Sequence, residues 1–290
     1  MPITKSILRY PGGKTQLSKF VYHTIQLNEI ENPIYCEPFC GGAGIALTLL
    51  LAGQVEEIIL NDFDSAIYSI WNAVIHNTDS FINKIQQTPI TMDEWHRQHE
   101  IYNHLKDISG YSFDLAYAAF FLNRTNRSGI ITGGPIGGIR QTSKYHLDCR
   151  FNIPVIVKKI EDIAKYSNKI HLYSEDGIYF IKEVLPKYNK KNLFTYFDPP
   201  YYEQGKSLYK NGLTDHYHQQ LADAIQNLEY HKWIATYDNV QQIRNLYGAS
   251  TQFLYTLHYT ANVKRHEKEL LFSNCNTKIE SFSRVRLLAI

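Results

Sequence analysis

The residues best suited to chemistry in this chain form the segment Asp198-Pro199-Pro200-Tyr201, which directly follows an apolar run at 193–197. Both prolines have a fixed φ angle and no N–H group, so the backbone after Asp198 cannot continue a helix or a sheet ladder. A carboxylate, carbonyl groups and an aromatic ring are thereby held in a small volume. This set suits a flat ring with an amino group, because the oxygens accept its two N–H bonds and the aromatic side chain stacks on it. The alternative is a plain strand-end turn with a solvated carboxylate.

A glycine-bearing loop, Arg9-Tyr10-Pro11-Gly12-Gly13-Lys14, precedes a helical pattern of apolar residues. Its Gly13-Lys14-Thr15 does not belong to a phosphate-binding P-loop, because Leu8 occupies the position of the first glycine. Two interpretations remain for this loop. Lys14 approaches a small anionic ligand, or it is the solvated lysine of a helix-capping turn.

A second glycine-rich turn follows the predicted strand at 34–37 and leads into an apolar helix at 45–51. Glycines in such a turn allow a ligand to come close to the backbone at a helix amino end. The next apolar strand, 58–60, ends at Asn61-Asp62, where an acidic residue can bridge the hydroxyls of a ribose. Turn, strand and acid in this order predict a nucleoside site.

The positive charge of the chain is concentrated in one loop. The 290 residues have a formal net charge of only +2, which neither requires nor excludes a polyanionic partner. Between Asp114 and Asp148 there is no acidic residue, while four residues are basic: Arg124, Arg127, Arg140 and Lys144. We expect this glycine-rich segment to contact the phosphates and grooves of a nucleic acid. A loop that is merely solvated is the alternative.

The remaining pattern alternates helix and strand, with a helical, basic insertion after the second strand. Two final strands, at 253–259 and 269–273, are expected to be joined by the basic turn Lys264-Arg265-His266. In a doubly wound sheet the carboxyl ends of neighbouring strands share one crevice. Asp62, Asp176 and Asp198 are therefore expected to face the same site as the glycine-rich turn.

Taken together, these motifs resemble the DNA adenine methylase (Dam-type, D12 class) family of N6-adenine DNA methyltransferases. The matching segments are 9–14, 37–44, 61–62 and 198–201, in the order of the family's α group, and the matches extend to the carboxyl-terminal stretch 264–273. The resemblance implies an α/β, Rossmann-like S-adenosylmethionine-dependent methyltransferase fold with an inserted, mainly helical DNA-recognition subdomain. The catalytic domain would comprise residues 1–66 and 150–290, and the target-recognition subdomain residues 67–149.

The resemblance also implies roles for individual residues. The catalytic residues would be Asp198, Pro199, Pro200 and Tyr201. The residues expected to bind S-adenosyl-L-methionine are Tyr10, Lys14, Glu37, Pro38, Phe39, Gly41, Gly42, Asp62, Asp176 and Asp198. For contact with double-stranded DNA we expect Arg124, Asn126, Arg127, Ser128, Thr132, Arg140 and Lys144.

The expected reaction is methyl transfer to N6 of an adenine that has been flipped out of the duplex. Hydrogen bonds from the amine to the Asp198 carboxylate and the Pro199 carbonyl would favour a pyramidal, nucleophilic nitrogen, while Tyr201 stacks on the base. One departure concerns the target. GATC-specific members resemble one another in a Tyr-Asn-Gly hairpin followed by an arginine, whereas this chain has Arg127-Ser128-Gly129 and Thr132, which argues against a GATC site.

Other classes of function fit the sequence less well. The four cysteines form no C-x-x-C pair, and we expect reduced thiols in a cytoplasmic protein of prokaryotic or phage origin, without signal peptide or membrane span. No metal is expected, because His96, His99, His216 and His218 are predicted to be solvated helix residues. An RNA or protein-amide methyltransferase and a catalytically silent DNA-binding subunit stay open as alternatives. A cognate restriction endonuclease is a candidate partner.

Overall fold

Strands of one mixed sheet form the frame of the protein. The structure is a computed structural model that describes residues 4–10, 13–203, 214–228, 230–259 and 265–290, and it leaves the side chains of 257–259 and 265–267 undescribed. The strands are β1 (Ile34–Glu37), β2 (Glu57–Asn61), β3 (Ile170–Tyr173), β4 (Leu193–Phe197), β5 (Lys232–Asp238), β6 (Thr251–Tyr259), β7 (Arg265–Ser273) and β8 (Leu288–Ala289). Their order in the sheet is β3-β2-β1-β4-β5-β7-β6-β8.

The direction of the strands places five carboxyl ends at one edge. Strands β1 to β5 pair in parallel, whereas β7 is antiparallel to both β5 and β6. The strand order reverses between β1 and β4, which are neighbours. In an open α/β sheet the ligand crevice lies outside the carboxyl ends at this point of reversal. The predicted α/β fold is therefore confirmed.

The helices cover both faces of the sheet. They are α1 (Ser18–Leu27), α2 (Gly44–Leu51), α3 (Ser65–His76), α4 (Thr78–Gln87), α5 (Met92–Leu105), α6 (Phe113–Thr125), α7 (Ile153–Ala164), α8 (177–187), α9 (Asp215–Gln226) and α10 (Gln241–Leu246). Side-chain caps fix where several begin: Thr91, Ser112 and Asn152 each accept a hydrogen bond from a backbone N–H of the first turn. Thr91, for example, accepts the backbone N–H of Glu94 at the start of α5.

Successive residues of a strand point to opposite faces of the sheet, and β1, β2, β4 and β5 are buried on both faces, whereas the edge strand β3 is only partly buried. Tyr35 and Ile58 pack with α1 to α7 in one large cluster, while the next residues in the two strands, Cys36 and Ile59, pack on the opposite face against α8. Trp233 of β5 packs on that same face with α9 and α10. The hydrophobic runs of the sequence are the strands of this double-sided core.

Two local predictions at the periphery of the sheet have different outcomes. The apolar pattern of 178–185 predicts a helix, and the chain is helical there but irregular, because α8 consists of an α turn (Gly177–Tyr179), a π turn (Phe180–Val184) and a 3-10 turn (Leu185–Lys187). The basic turn expected between the last long strands is wrong for two of its three residues, which belong to a strand. Arg265 and His266 are paired within β7, opposite Tyr259 and His258, and Lys264 lies outside the described residues.

The inserted helices do not form a separate core. Phe81 of α4, Trp95 of α5 and Phe120 of α6 belong to the same buried cluster as the sheet residues Tyr35 and Ile58. The division into a catalytic domain and a target-recognition subdomain at 67–149 stays a prediction. Packing ties the two parts firmly together.

A set of hydrogen bonds also ties the insertion to the amino-terminal segment. Asn123, at the end of α6, accepts a hydrogen bond from the Arg9 backbone N–H at 2.9 Å, and its amide donates to the Arg9 carbonyl and to the Gly129 carbonyl. The Arg9 guanidinium donates to the Asn126 carbonyl at 2.8 Å. Gly129 has a φ of +79°, and a Cβ atom there would lie 1.9 Å from the Arg9 carbonyl oxygen. The residue must therefore be glycine.

We predict that Gly129→Ala lowers the free energy of unfolding by about 2–4 kcal/mol, because the methyl group collides with backbone and the φ angle is unfavourable for alanine. Urea unfolding followed by circular dichroism measures the loss. The matched control is Gly134→Ala in the same loop, where a Cβ atom has no neighbour within 4 Å and φ is not positive. The control should stay within about 0.5 kcal/mol of the wild type. Equal stability of the two variants would contradict the packing described here.

Candidate active site

Asp198 lies directly beyond β4, beside the only reversal of strand order in the parallel part of the described sheet. Its Oδ1 accepts a hydrogen bond from the Thr236 hydroxyl at 2.8 Å and lies 3.4 Å from the Lys14 ammonium. Burial raises the pKa of the Asp198 carboxyl, and Glu269 adds to this rise while Lys14 opposes it. Lys14 itself is only 6% exposed, so the interpretation as a solvated helix-capping lysine is wrong.

The Tyr201 ring is fixed at its hydroxyl. Its O–H donates to Glu269 Oε2 at 2.8 Å, and the Lys14 Nζ lies 4.6 Å from the centre of the ring. The Tyr237 ring is inclined at 24° to it, with 6.2 Å between the centroids. Tyr201 therefore occupies a defined position between β7 and the amino-terminal segment.

The turn after the two prolines is held by an acid from another strand. Asp238, the last residue of β5, accepts hydrogen bonds from the backbone N–H of Tyr202 at 3.0 Å and of Glu203 at 2.8 Å. Asp238 is 7% exposed. Since Pro199 and Pro200 have no N–H to donate, these external contacts determine the path of the chain.

Glu37, the last residue of β1, is a buried carboxyl. Its Oε1 accepts hydrogen bonds from the Tyr35 hydroxyl at 3.0 Å and from the Ala46 backbone N–H at 3.1 Å, in the first turn of α2. It thus serves one of the donors that a helix amino end leaves unsatisfied. Burial raises the pKa of Glu37 to about 8, and the nearby charge of Asp198 acts in the same direction.

Asp62 and the glycine-rich turn are joined directly. The Gly41 backbone N–H donates to Asp62 Oδ2 at 2.8 Å, and the Asp64 N–H donates to Oδ1 at 3.0 Å. Burial, together with the charge of Asp64, raises the pKa of Asp62 to about 7. The acid that was predicted to bind a ribose therefore lies against the predicted glycine turn.

Asn61 links the first three strand ends. Its side-chain amide donates to the carbonyls of Pro38, at 2.9 Å, and Glu175, at 3.0 Å, and its Oδ1 accepts the Glu175 N–H. The turns after β1, β2 and β3 are thereby held in one arrangement. Asn61 is 1% exposed, which makes it a structural partner of the acid that follows it.

Tyr10 explains why the turn after β1 is rich in glycine. A Cβ atom on Gly41 would lie 2.6 Å from the Tyr10 ring, and one on Gly42 would lie 2.8 Å from the Tyr10 Cβ. The glycines admit the side chain of Tyr10 from the amino-terminal segment. Sequence analysis attributed the same glycines to the close approach of a ligand.

Asp176 stands at the corresponding place beyond β3. Its Oδ1 accepts the backbone N–H groups of Ile178 and Tyr179, and its Oδ2 accepts the Tyr217 hydroxyl at 2.9 Å. Phe39 packs against Gly177 next to it. The helix α8 therefore begins inside the same group of strand-end residues.

Most of the residues predicted to contact DNA lie on the surface. Arg127, Ser128, Thr132, Arg140 and Lys144 are all exposed. Two large apolar side chains in the same loop are exposed as well: Ile139 at 59% and Tyr145 at 58%. The loop thus presents basic, polar and apolar groups to solvent at the end of α6.

Two residues of that set are engaged inside the protein instead. The Asn126 side chain is fully buried: it accepts the indole N–H of Trp95 at 2.7 Å and donates to the carbonyls of Ile130 and Ile131. The Arg124 guanidinium donates to the carbonyls of Ile7 and Arg150. These contacts leave Asn126 no access to a duplex in this conformation and assign both residues to the scaffold of the loop. Their long-range partners could not be foreseen from the sequence.

Comparison with known proteins identifies the family. A family model described as D12 class N6 adenine-specific DNA methyltransferase matches residues 10–266, which is most of the chain. The chain belongs to this family. The resemblance inferred from the motifs is thus confirmed, and with it a methyltransferase that acts on adenine in DNA.

This D12-class methyltransferase has a curated relative from Methanocaldococcus jannaschii, the Type II methyltransferase M.MjaIII. The two are 23% identical over 210 residues, which cover 68% of this chain and 69% of the relative. Two solved structures also match with low scores. A putative RNA methyltransferase from Pyrococcus horikoshii has a TM-score of 0.40 at 9% sequence identity. The match covers 91% of this chain and 85% of that methyltransferase. The rRNA methyltransferase aviRa from Streptomyces viridochromogenes has a TM-score of 0.39 at 10% identity, with coverage of 92% and 88%.

Sequence reasoning missed several residues at this site of the D12-class methyltransferase. Asp238 follows the same rule as Asp62 and Asp198, an acid at the carboxyl end of a strand, and could have been found by it. Glu269 is an acid at the edge of the apolar run Leu270-Leu271-Phe272, which was a usable signal. No such sequence signal distinguishes Thr236 and Tyr255, because both lie in the interior of ordinary strands.

The histidines and cysteines play no common role. His218 is buried against the rings of Tyr202 and Tyr237, so its prediction as a solvated residue is wrong, whereas His96 and His216 are exposed. All four cysteines are free. Among the residues that the structure describes, no group of three or more His, Cys, Asp and Glu could hold a metal ion. Nor does any described helix have both the length and the apolar character needed to cross a membrane.

The raised pKa of Glu37 makes the stability of this methyltransferase depend on pH. Between pH 4.5 and about 8 the folded protein retains a proton that the unfolded chain releases, so the free energy of unfolding falls as pH rises. We predict that Glu37→Gln, which keeps an acceptor for Tyr35 and Ala46, is more stable than the wild type at pH 8 by up to about 4 kcal/mol. The gain should fall below about 1 kcal/mol at pH 5.

Urea unfolding at both pH values measures this difference. The matched control is Glu57→Gln, because Glu57 is half exposed and pairs with His171 at the other end of the parallel strands. A gain for Glu37→Gln that is the same at pH 5 and pH 8, or a similar gain for the control, would show that ionisation of Glu37 is not the cause.

Proposed function

We propose that this protein transfers a methyl group from S-adenosyl-L-methionine to N6 of adenine at a specific site in double-stranded DNA. The observation that carries the proposal is the contact between Lys14 and Asp198, at 3.4 Å, in a chain of the D12 family. It joins the amino-terminal motif to the turn that is suited to an amino-bearing ring. Asp62, the glycine turn and Asp176 lie at the ends of adjacent strands.

The side chains gathered at this site fit S-adenosyl-L-methionine, which supplies the methyl group when it is bound. The Asp62 carboxylate can accept the hydroxyls of a ribose, and the rings of Tyr10 and Phe39 offer flat apolar surfaces. Asp176 would accept from the adenine amine of the cofactor. Glu37, Pro38, Gly41 and Gly42 would surround its amino-acid part.

The charges support a cationic ligand. Four carboxyl groups, those of Glu37, Asp62, Asp198 and Glu269, are gathered here, and Lys14 lies within 4 Å of two of them. Buried carboxylates are costly unless they are paired. A sulfonium group with an ammonium group would offset part of this negative charge.

At the reacting centre, Asp198 and the backbone carbonyl of Pro199 would accept the two N–H groups of the target adenine. These hydrogen bonds favour a pyramidal nitrogen whose lone pair can attack a methyl group in line. Thr236 and Lys14 orient the carboxylate through Oδ1, and we propose that Oδ2 accepts from the substrate. Tyr201 offers its ring for stacking of the base.

The exposed loop after α6 is the proposed DNA face. Arg127, Arg140 and Lys144 would contact phosphates, and an arginine there can also bond a guanine edge in the major groove. Ser128 and Thr132 add hydrogen-bonding groups. Ile139 and Tyr145, which sequence reasoning did not single out, add apolar contact to the space that a flipped adenine leaves.

The curated relative is named a Type II methyltransferase. We therefore extend the proposal to a restriction–modification system, with a cognate endonuclease as partner and a cytoplasmic location. Mapping N6-methyladenine across the genome of a host that lacks adenine methylation and expresses this protein tests the specific site. Methylation at one short sequence supports the proposal, and methylation of adenines irrespective of sequence contradicts site specificity.

We predict that Asp198→Ala reduces kcat by at least about 10²-fold, because the carboxylate that accepts the target amine is lost. Transfer of a labelled methyl group to duplex DNA measures the rate, with RNA and protein offered in parallel as substrates. The control is Asp223→Ala on the exposed side of α9, which should retain wild-type activity. More than a tenth of the wild-type rate in folded Asp198→Ala protein, or label in RNA or protein alone, would contradict the assignment.

The raised pKa of Asp62 predicts that cofactor binding depends on pH. A ribose hydroxyl donates to the ionised carboxyl, so affinity should weaken as pH falls below about 7, approaching tenfold for each pH unit. Isothermal titration calorimetry with S-adenosylhomocysteine between pH 5.5 and 8.5 measures this effect. Asp62→Asn should bind more weakly and lose this part of the pH dependence. An identical pH profile in wild type and variant would exclude Asp62 as the ribose acceptor.

A further inference from the structure

Glu269 is a buried carboxyl in an otherwise apolar part of β7. The residue is 2% exposed, and Leu270 and Leu271, which follow it, are completely buried. A carboxylate in such surroundings is destabilising unless hydrogen bonds and an opposite charge compensate it. The groups that compensate the buried carboxyl of Glu269 therefore indicate its role.

These contacts converge on the proposed catalytic turn, residues 198–201. A single oxygen, Oε2, accepts the hydroxyl of Tyr201 at 2.8 Å and the hydroxyl of Tyr255 from β6. The same oxygen lies 3.9 Å from the Lys14 ammonium, which is also 3.4 Å from Asp198 Oδ1. Lys14 is thus shared between Asp198 and Glu269.

The position of Glu269 in the sheet has a second consequence. Glu269 on β7 lies opposite Asp238 on the neighbouring strand β5, so two acidic residues are paired in the sheet. Asp238 accepts the backbone N–H groups of Tyr202 and Glu203, while Glu269 accepts the hydroxyl of Tyr201. Backbone and side chain of the turn are each held by one acid of this pair.

We propose that Glu269 is a positioning residue for methyl transfer, which holds the Tyr201 ring in place for the target base and shares Lys14 with Asp198. The inference rests on the function proposed above and adds Glu269 to the residues expected to act in the reaction. Glu269 touches neither of the reacting groups. It acts through Tyr201 and Lys14.

The charge of Glu269 also acts on Asp198. Among the described residues, the charged or titratable groups that act on Asp198 are Lys14 before α1, Glu37 at the end of β1 and Glu269 on β7, and Thr236 of β5 adds a hydrogen bond. Glu269 raises the pKa of Asp198. Its replacement by glutamine keeps an acceptor for the tyrosines but removes the charge, so Asp198 stays ionised to lower pH.

The test compares kcat and KM for duplex DNA in the wild type and four variants, at saturating cofactor and from pH 5 to pH 9. The variants are Glu269→Gln, Tyr201→Phe and the double variant, and Glu57→Gln is the matched control. Both single variants should lower kcat about tenfold and leave KM within about twofold. The Tyr201 ring is less well placed for methyl transfer in each of them, and this affects the chemical step rather than binding. The double variant should be no slower than the slower single variant, because Tyr201→Phe removes the hydrogen bond to residue 269 and Glu269→Gln weakens that same bond by removing the charge of its acceptor.

The pH profile separates positioning from a merely structural role. The acid limb of kcat should move to lower pH in Glu269→Gln but not in Tyr201→Phe, which retains the charge of Glu269. Wild-type kcat with an unshifted limb in Glu269→Gln would overturn the inference, as would an equal loss in Glu57→Gln. A wild-type protein that does not methylate DNA overturns the proposed function itself. The two failures are therefore distinguishable.

Discussion

Two successive prolines leave the proposed catalytic turn, residues 198–201, without backbone donors at Pro199 and Pro200, and the rest of the candidate site depends on this constraint. The turn cannot fix itself by a local hydrogen bond through those residues, so its conformation comes from neighbouring strands. Asp238 holds the backbone beyond the prolines and Glu269 holds the Tyr201 hydroxyl. The carboxyl edge of the sheet brings these groups within reach. A stiff turn held by buried acids is preorganised for its reaction.

The amino-terminal segment connects the proposed DNA loop to this turn. Arg9 is hydrogen-bonded to Asn123 and to the Asn126 carbonyl, at the base of the loop. Its neighbour Tyr10 lies on the glycine turn, and Lys14 reaches Asp198. Arg9, Tyr10 and Lys14 thus contact three elements that are far apart in sequence. This continuous set of contacts gives the loop and the reacting centre a common framework.

Local signals predicted much of the architecture. Apolar runs that end in an acid were correctly assigned as strands, since a strand buried on both faces must be hydrophobic throughout and its end must turn toward solvent. The helices α2, α3, α5, α6 and α7 follow from apolar periodicity and caps. The prediction was wrong for Arg265 and His266, where strand pairing extends through a basic stretch, and the helix predicted at α8 is present but contains a π turn, which leaves no periodic signal.

The chemistry of the site was less fully predictable, because it is made from long-range pairs. Asn126 shares its polar, loop-like context with Ser128, yet one is buried against Trp95 and the other is exposed. The sequence cannot distinguish them, since Trp95, whose indole N–H donates to Asn126, is 31 residues away. The same holds for Glu269, which is 68 residues from Tyr201.

By itself the sequence determined the family, the α/β plan and the acids that end the strands, because these depend on residue type and on spacing along the chain. Only the tertiary structure decided which groups share charge and hydrogen bonds at the carboxyl edge. The fold places the Lys14 ammonium beside Asp198 instead of on the surface, and it places Glu269 where it accepts the Tyr201 hydroxyl. The reason is physical: the cost of burying a charge is set by what lies within about 4 Å, and the fold, rather than the local order of residues, decides those neighbours.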